Sequence, residues 1–228
     1  MAVHDTPLAS LSLTHVYYDP NDGISLICAY LALVPQALCI VYATLVLASR
    51  EAEVVLALVG QVACEALNLL LKRAIKQRRP RRFHDCGYGM PSSHAQFLAF
   101  WAAQLVLFVV FRHQPRQRAA RWQRGLTSVA AVLLAAAVAW SRVYLGYHSP
   151  AQVLVGCGAG AACALAWFAL TAALRSSGWL RWALDLPPAR ALRARDLALD
   201  EDLCQAGWEK WQRRRAQTAV AAQEKKTP

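Results

Sequence analysis

Five apolar runs, at roughly 24–49, 54–71, 95–111, 125–141 and 151–174, constrain this chain more than any other feature. A hydrocarbon core about 30 Å thick needs about 20 apolar residues of helix to cross it. In lipid each backbone N–H and C=O must find a partner within the protein, which makes such runs helices. The expected class is therefore all-α: a polytopic membrane bundle of about five transmembrane helices. The second, third and fourth runs are short, so their helices should extend into the polar loops. The first run is long, and no Lys or Arg precedes it. It lacks the form of a cleavable leader and is expected to stay attached. The chain then divides into an N-terminal segment 1–23, a membrane-embedded domain 24–174 and a basic, amphipathic tail 175–228.

Composition matters here for its contrast. The chain is 57% hydrophobic yet carries a formal net charge of +11, with the charge gathered into blocks between the runs. With five crossings, loops 72–94 and 142–150 share one side of the membrane. The other side receives Arg50, the five arginines of loop 112–124 and eleven Lys and Arg from Arg175 onward, against none in residues 1–23. The positive-inside rule makes that side cytosolic and turns loops 72–94 and 142–150 toward the lumen or exterior. Loop 72–94 nevertheless holds Lys72, Arg73, Lys76, Arg78, Arg79, Arg81 and Arg82.

An anion is the simplest reason for cations there. If the second helix continues to Pro80, Lys72, Lys76 and Arg79 share one face, and the Arg79 guanidinium offers a planar fork suited to phosphate. For Arg73, Lys76, Arg78, Arg81 and Arg82 a solvated patch near acidic headgroups is the better reading. Glu65 and Asn68 continue that face into the membrane. An intramembrane carboxylate is costly, and Glu65 is expected to pair with a cation rather than to do chemistry.

Two further patterns converge on the same side. Ser93 and Gln96 have capping-box spacing at the start of the third run, and Ser149-Pro150-Ala151-Gln152 repeats it at the fifth, with proline where a helix tolerates it best. A helix start presents free N–H groups and a positive dipole end, a ready anion site. Each of these starts carries a histidine, His94 and His148, and Arg142 lies six positions before the second. Gln152 has two open readings: cap of the Ser149 amide, or acceptor for the His148 ring N–H. Across both loops the only acid is Asp85, which disfavours a two-metal phosphatase; Lys72, Arg79 and Arg142 could hold a phosphoryl group without a metal. Of seven cysteines, five lie in apolar runs and none forms a CxxC pair; Cys86 is assigned no role.

Lys72-(six residues)-Arg79-Pro80, then Pro91-Ser92-Ser93-His94, then Ser141-Arg142-(five residues)-His148 resembles the three-part signature of the type 2 phosphatidic acid phosphatases and vanadium haloperoxidases, over about 80 residues. That family usually has Gly at the place of Ser93 and Asp at that of Gln152. Within it, the dolichyl diphosphate phosphatases are the most similar. Asn68-Leu-Leu-Leu-Lys72, Tyr88-Gly-Met-Pro-Ser-Ser-His-Ala-Gln-Phe97, Ser141-Arg-Val-Tyr-Leu-Gly-Tyr-His148 and the opening Leu13-Thr-His-Val16 are similar to theirs, as is Gln at position 152.

The resemblance implies the family's phosphatase core. His148 would attack phosphorus to form a phosphohistidine, His94 would protonate the departing oxygen and Gln152 would orient His148. Lys72, Arg79, Ser92, Ser93 and Arg142 would bind the phosphoryl oxygens. It implies a metal-independent hydrolase, with no cofactor, that converts dolichyl diphosphate to dolichyl phosphate and inorganic phosphate and so recycles the glycan carrier for N-glycosylation. The setting implied is the endoplasmic reticulum membrane, with the active site facing the lumen. The expected partners are a polyprenyl diphosphate lipid and the membrane, with no nucleic acid. A broader lipid phosphate phosphatase, another polyprenyl diphosphate phosphatase and a non-catalytic anionic-lipid binder are the competing readings.

Two features read as structure. Gly156 and Gly160 set a GxxxG spacing in the fifth run, which points to close helix packing rather than nucleotide binding. Trp179, Trp182, Trp208 and Trp211, interleaved with arginines, suggest amphipathic segments lying on the cytosolic leaflet.

Overall fold

The computed structural model describes residues 9–11, 16–80, 87–113, 121–199 and 202–224. Asp85, Cys86, Arg81, Arg82, Lys225, Lys226 and residues 13–15 lie outside these. The apolar runs do form helices: α1 (Gly23–Leu31) and α2 (Val34–Ser49), α3 (Ala52–Ile75), α4 (Ser93–Leu107), α5 (Arg121–Tyr144) and α6 (Pro150–Ser176). A π-helical turn at Phe108–Arg112 prolongs α4, and α7 (Trp179–Asp185), α8 (Pro187–Ala191) and α9 (Leu203–Glu224) follow α6. Among the described residues, five stretches are long and apolar enough to cross a membrane: Gly23–Ser49, Ala52–Ile75, Ser93–Arg112, Trp122–Tyr144 and Pro150–Ser176. This is a multi-span membrane protein. The short runs were lengthened at their polar ends, as a spanning helix requires.

Three details differ from the sequence expectation. The first span is broken at Ala32 and Leu33, just before Pro35, which sits in the opening turn of α2 and has no N–H to continue the ladder. A two-stranded antiparallel hairpin, β1 (Ala9–Leu11) with β2 (Val16–Tyr18), precedes the helices. Its Val16 packs with Cys28, Ala29 and Ala32 of the first span and with Leu145 and Tyr147 beyond α5, covering that end of the bundle. The tail, third, does more than lie alongside the bundle. Arg195 pairs with Glu51 at 2.7 Å, and the Leu197 and Ala198 amides donate to the other Glu51 oxygen at 2.8 and 3.1 Å.

The same end holds a buried ion-pair network. Glu53 accepts from Arg112 at 2.9 Å and from Arg175 at 2.5 Å, and Arg175 also binds Asp196. Arg112 and Arg175, counted above as loop charges, are therefore inside the protein, where the desolvated guanidiniums have the paired carboxylates they need.

The centre of the bundle is α4, packed between α3, α5 and α6. A Cβ on Gly156 would stand 2.7 Å from the Ser92 carbonyl oxygen, and one on Gly160 would come closer still to that of Gln96. The GxxxG spacing thus lets α6 touch the α4 backbone, as expected. That contact sets the start of α4 against the start of α6.

Candidate active site

Arg142 and His148 are brought together by the way α5 ends. Gly146 takes φ +73°, the left-handed conformation open to glycine, and the amides of Tyr147 and His148 both donate to the Arg142 carbonyl at 3.1 and 3.2 Å. The chain folds back over the last turn of α5, and both side chains are buried, each 3% exposed. The Arg142 guanidinium lies over the Tyr147 ring, 4.4 Å from its centroid, and the Tyr147 hydroxyl accepts the Tyr17 amide of β2 at 2.8 Å.

Lys72 sits in the last turn of α3, but the shared face with Lys76 and Arg79 does not form. Lys76 is left-handed at φ 52° and caps the helix, so α3 ends at Ile75, short of Pro80. Tertiary pairing accounts for the early stop. The Gly89 amide donates to the Gln77 carbonyl at 2.7 Å and Arg78 forms an antiparallel bridge with Tyr88, so the strand-like segment after Lys76 runs beside residues 88–89. Lys76 is exposed, whereas Arg79 is half-buried and turns toward the site. Lys72, Arg79, Arg142 and the two histidines all fall within electrostatic reach of one another's cluster.

The capping box at Ser93 and Gln96 does not form either. Ser92 occupies the N-cap position, with no side-chain cap bond, and donates its own amide to the Gln152 carbonyl at 3.1 Å. Gln96 is fully buried; it accepts from Asn68 at 2.7 Å and donates to the Cys64 carbonyl at 2.9 Å. In a lipid-embedded bundle a polar amide gains more by tying α3 to α4 than by reaching an end that water could serve. The amides of Ser93, His94 and Ala95 are left with no acceptor within the helix and face the site end. Glu65 makes no ion pair within 4.0 Å among the described residues; the cation that interacts with its charge is Lys72, further along α3.

The capping box at Ser149 does form: Ser149 Oγ accepts the Gln152 amide at 3.3 Å and the Ser149 amide donates to Gln152 Oε1 at 3.2 Å. The same Oε1 lies 3.3 Å from His148 Nδ1, so both readings of Gln152 hold at once. The nearer partner of Nδ1, at 2.9 Å, is the Gly89 carbonyl, which sequence alone did not reveal. Gln152 Nε2 donates to the Arg78 carbonyl at 2.9 Å, pinning the segment that carries Arg79 to the start of α6.

These bonds assign the protons. A carbonyl only accepts, so Nδ1 of His148 must carry hydrogen, and the lone pair is on Nε2. Burial, with the Arg79 and Arg142 guanidiniums nearby, pushes the His148 imidazole down to about 3, against the smaller upward pull of its bonds to Gln152 and Gly89. It is neutral at pH 7, and a nucleophile needs that. No carboxylate is required to reach this state: burial, with the two guanidiniums beside it, favours the neutral ring. On His94, Nε2 donates to the Ala32 carbonyl at 3.1 Å, which leaves Nδ1 as the atom able to exchange a proton. That carbonyl lies at the break in the first span.

The pocket's donors are unspent. Arg79 Nε, Ser92 Oγ, and Arg142 Nε and Nη1 are buried with no partner among the described residues. Leaving charged donors unpaired costs free energy unless something fills the site. An anion with several oxygens would satisfy all four.

Known proteins resemble this chain over most of its length. The PAP2 superfamily pattern matches residues 52–176. A Neurospora crassa protein with a provisional dolichyldiphosphatase name is 49% identical, over 99% of each chain. Dolichyldiphosphatase 1 of Homo sapiens is 36% identical over 71% of each chain. The dolichyldiphosphatase of Saccharomyces cerevisiae is 33% identical over 76% of this chain and 74% of its own. A transmembrane PAP2-type phosphatidylglycerolphosphate phosphatase from Bacillus subtilis shares the fold, with a TM-score of 0.52 at 24% identity over 67% of this chain and 75% of that one.

Proposed function

This chain belongs to the PAP2 superfamily, and from that premise we propose that it hydrolyses dolichyl diphosphate to dolichyl phosphate and inorganic phosphate. The observation that carries the reading is the set of buried, unpartnered donors on Arg79, Ser92 and Arg142 beside a histidine whose free lone pair is on Nε2. The substrate follows from the dolichyldiphosphatase names of relatives matched over most of the chain.

In the proposed reaction Lys72, Arg79, Arg142, Ser92, Ser93 and the first-turn amides of α4 hold the terminal phosphoryl oxygens. Nε2 of His148 attacks phosphorus as the bond to the bridging oxygen breaks, giving a phosphohistidine and dolichyl phosphate. His94 takes a proton from solvent on Nδ1 as the anionic substrate offsets the cations around it, and gives that proton to the departing oxygen. Water then attacks the phosphohistidine, returns a proton to His94 and frees phosphate. Gln152 and the Gly89 carbonyl hold the ring of His148 through Nδ1 and steady the positive charge it gains. A diphosphate leaves as a phosphate monoester, a better leaving group than an alcohol, which suits orientation by an amide in place of a carboxylate. The catalysis we assign is metal-independent: Lys72, Arg79 and Arg142 supply the positive charge that would otherwise call for a metal.

The proposal extends to setting. Residues 24–174 form the phosphatase domain, preceded by a lumenal segment and followed by a cytosolic tail. The enzyme resides in the endoplasmic reticulum membrane with its site toward the lumen, and it recycles the glycan carrier. The charge excess at the end opposite the site supports that orientation.

The test is phosphate release from dolichyl diphosphate by purified protein in detergent with excess EDTA. Wild type should release phosphate and His148→Ala should not. Preference for phosphatidate in a substrate panel would move the assignment to a broader lipid phosphatase. Binding of these lipids with no turnover by folded wild type would leave an anionic-lipid binder.

A further inference from the structure

A second cavity, of about 380 Å³, opens between α2, α3 and α4 within the membrane span, toward the end opposite the site. Its walls are apolar, formed among others by Leu38, Leu45, Ala57, Trp101, Leu105 and Phe108, and tail residue Ala198 helps to close its floor. Trp101 lies seven residues after His94, about 10 Å down the same helix at 1.5 Å per residue. The cavity is thus separate from the phosphate pocket.

The polar side chains that line it are Tyr42, Ser49, Glu51, Glu53 and Gln104. Glu53 spends its two oxygens on Arg112 and Arg175; Glu51 accepts the Leu197 and Ala198 amides on one oxygen, while the other is ion-paired with Arg195 at 2.7 Å without accepting a hydrogen bond among the described residues. These pairs leave no charge to recognise a ligand. Gln104 also lines the cavity, is 3% exposed, and its Oε1 has no partner among the described residues. A buried amide oxygen of this kind is costly, and a hydrocarbon occupant would leave it so.

We propose that this cavity binds a neutral membrane lipid whose only polar group is a hydroxyl, a sterol or a long-chain isoprenoid alcohol. The hydroxyl donates to Gln104 Oε1, and the apolar body lies along Trp101, Leu105 and Leu38. The chemistry selects this class by elimination. A phosphate head would find no free cation, an ammonium head would find both carboxylates already paired, and an alkane would leave Gln104 unsatisfied. The volume falls within the range of about 300–1,000 Å³ usual for small-molecule sites, and a lipid reaches it from the bilayer.

The inference stands apart from the catalytic assignment and is tested by binding. The full chain in phosphatidylcholine nanodiscs would be photolabelled with a diazirine sterol and a diazirine farnesol, each against unlabelled alcohol and its methyl ether. Labelling within 38–57 or 101–108 is expected, displaced by the alcohol about tenfold better than by the ether, because the ether has lost the donor. Whichever probe labels identifies the lipid source. Gln104→Leu should lower labelling about tenfold, and Ala57→Phe, which fills the cavity, should abolish it, with melting temperatures showing both variants folded. Absence of cavity labelling in folded wild type, or equal displacement by alcohol and ether, would overturn the proposal. Displacement by a polyprenyl diphosphate as effective as by the alcohol would also overturn it, by making the cavity the path of a substrate chain.

Discussion

Arg142→Gln should separate function from stability. Arg142 is 3% exposed, and its Nε and Nη1 face no partner among the described residues, so the folded protein carries an uncompensated cation whenever phosphate is absent. Removing it forfeits the contact with the Tyr147 ring, of order 1 kcal/mol, but relieves a desolvation cost of similar or larger size. The melting temperature without ligand should hold steady or rise. The substrate loses two charge-assisted hydrogen bonds at about 1.5–3 kcal/mol each, which is about 3–6 kcal/mol, or a factor of roughly 10²–10⁴ in kcat/KM. Phosphate or vanadate, which should raise the wild-type melting temperature, should raise that of the variant far less. The assay pairs thermal unfolding in detergent, with and without anion, with phosphate release. A variant that unfolds several degrees lower without ligand, or that retains kcat/KM within about threefold, would refute the view that Arg142 waits for an anion.

Gln152→Leu should lower kcat about tenfold, far less than His148→Ala, because the Gly89 carbonyl still holds Nδ1 at 2.9 Å while the cap and the bond to the Arg78 carbonyl are lost; steady-state kinetics decide between this and complete inactivation. The depressed His148 value sets a pH dependence of stability. Its folded value is about 3, below the usual value of about 6.5, so the unfolded chain binds the extra proton between them. That contribution is complete above pH 6.5 and fades as pH falls toward 3, by about 3 kcal/mol at pH 4.5, and His148→Gln should lessen the fall in thermal-unfolding series from pH 7 to 4.5. Glu53→Gln leaves Arg112 and Arg175 without their shared carboxylate and should cost about 3–5 kcal/mol of stability, read as a lower melting temperature with KM unchanged.

The spans were legible in the sequence through run length, and Lys72, Arg79, Ser92, Arg142 and the histidines through the spacing of the signature they resemble; the structure gathers these side chains at one end of the bundle. Gln152 was half legible. Its capping role is written in a four-residue pattern, while its hold on the Arg78 carbonyl depends on a segment 74 residues away in sequence. Gln96 misled for the same reason in reverse, since a local cap pattern lost to a bond across helices with Asn68. Only a polar residue inside an apolar run hinted at that. The acceptors that set the histidine tautomers, the carbonyls of Gly89 and Ala32, have no side-chain signature at all. Lys76 was set on one face with Lys72 and Arg79 because a helix was carried too far, and the pairing of Gly89 with Gln77 that stops it is tertiary.

The central claim is that Nε2 of His148 takes the phosphoryl group. The most direct test is to quench wild type in base during turnover of dolichyl diphosphate labelled in its terminal phosphate, and to map the protein-bound label. The account predicts an acid-labile, base-stable label on His148, absent from His148→Ala, which should also lack turnover. Turnover with no bound label, together with activity retained by His148→Ala, would contradict it.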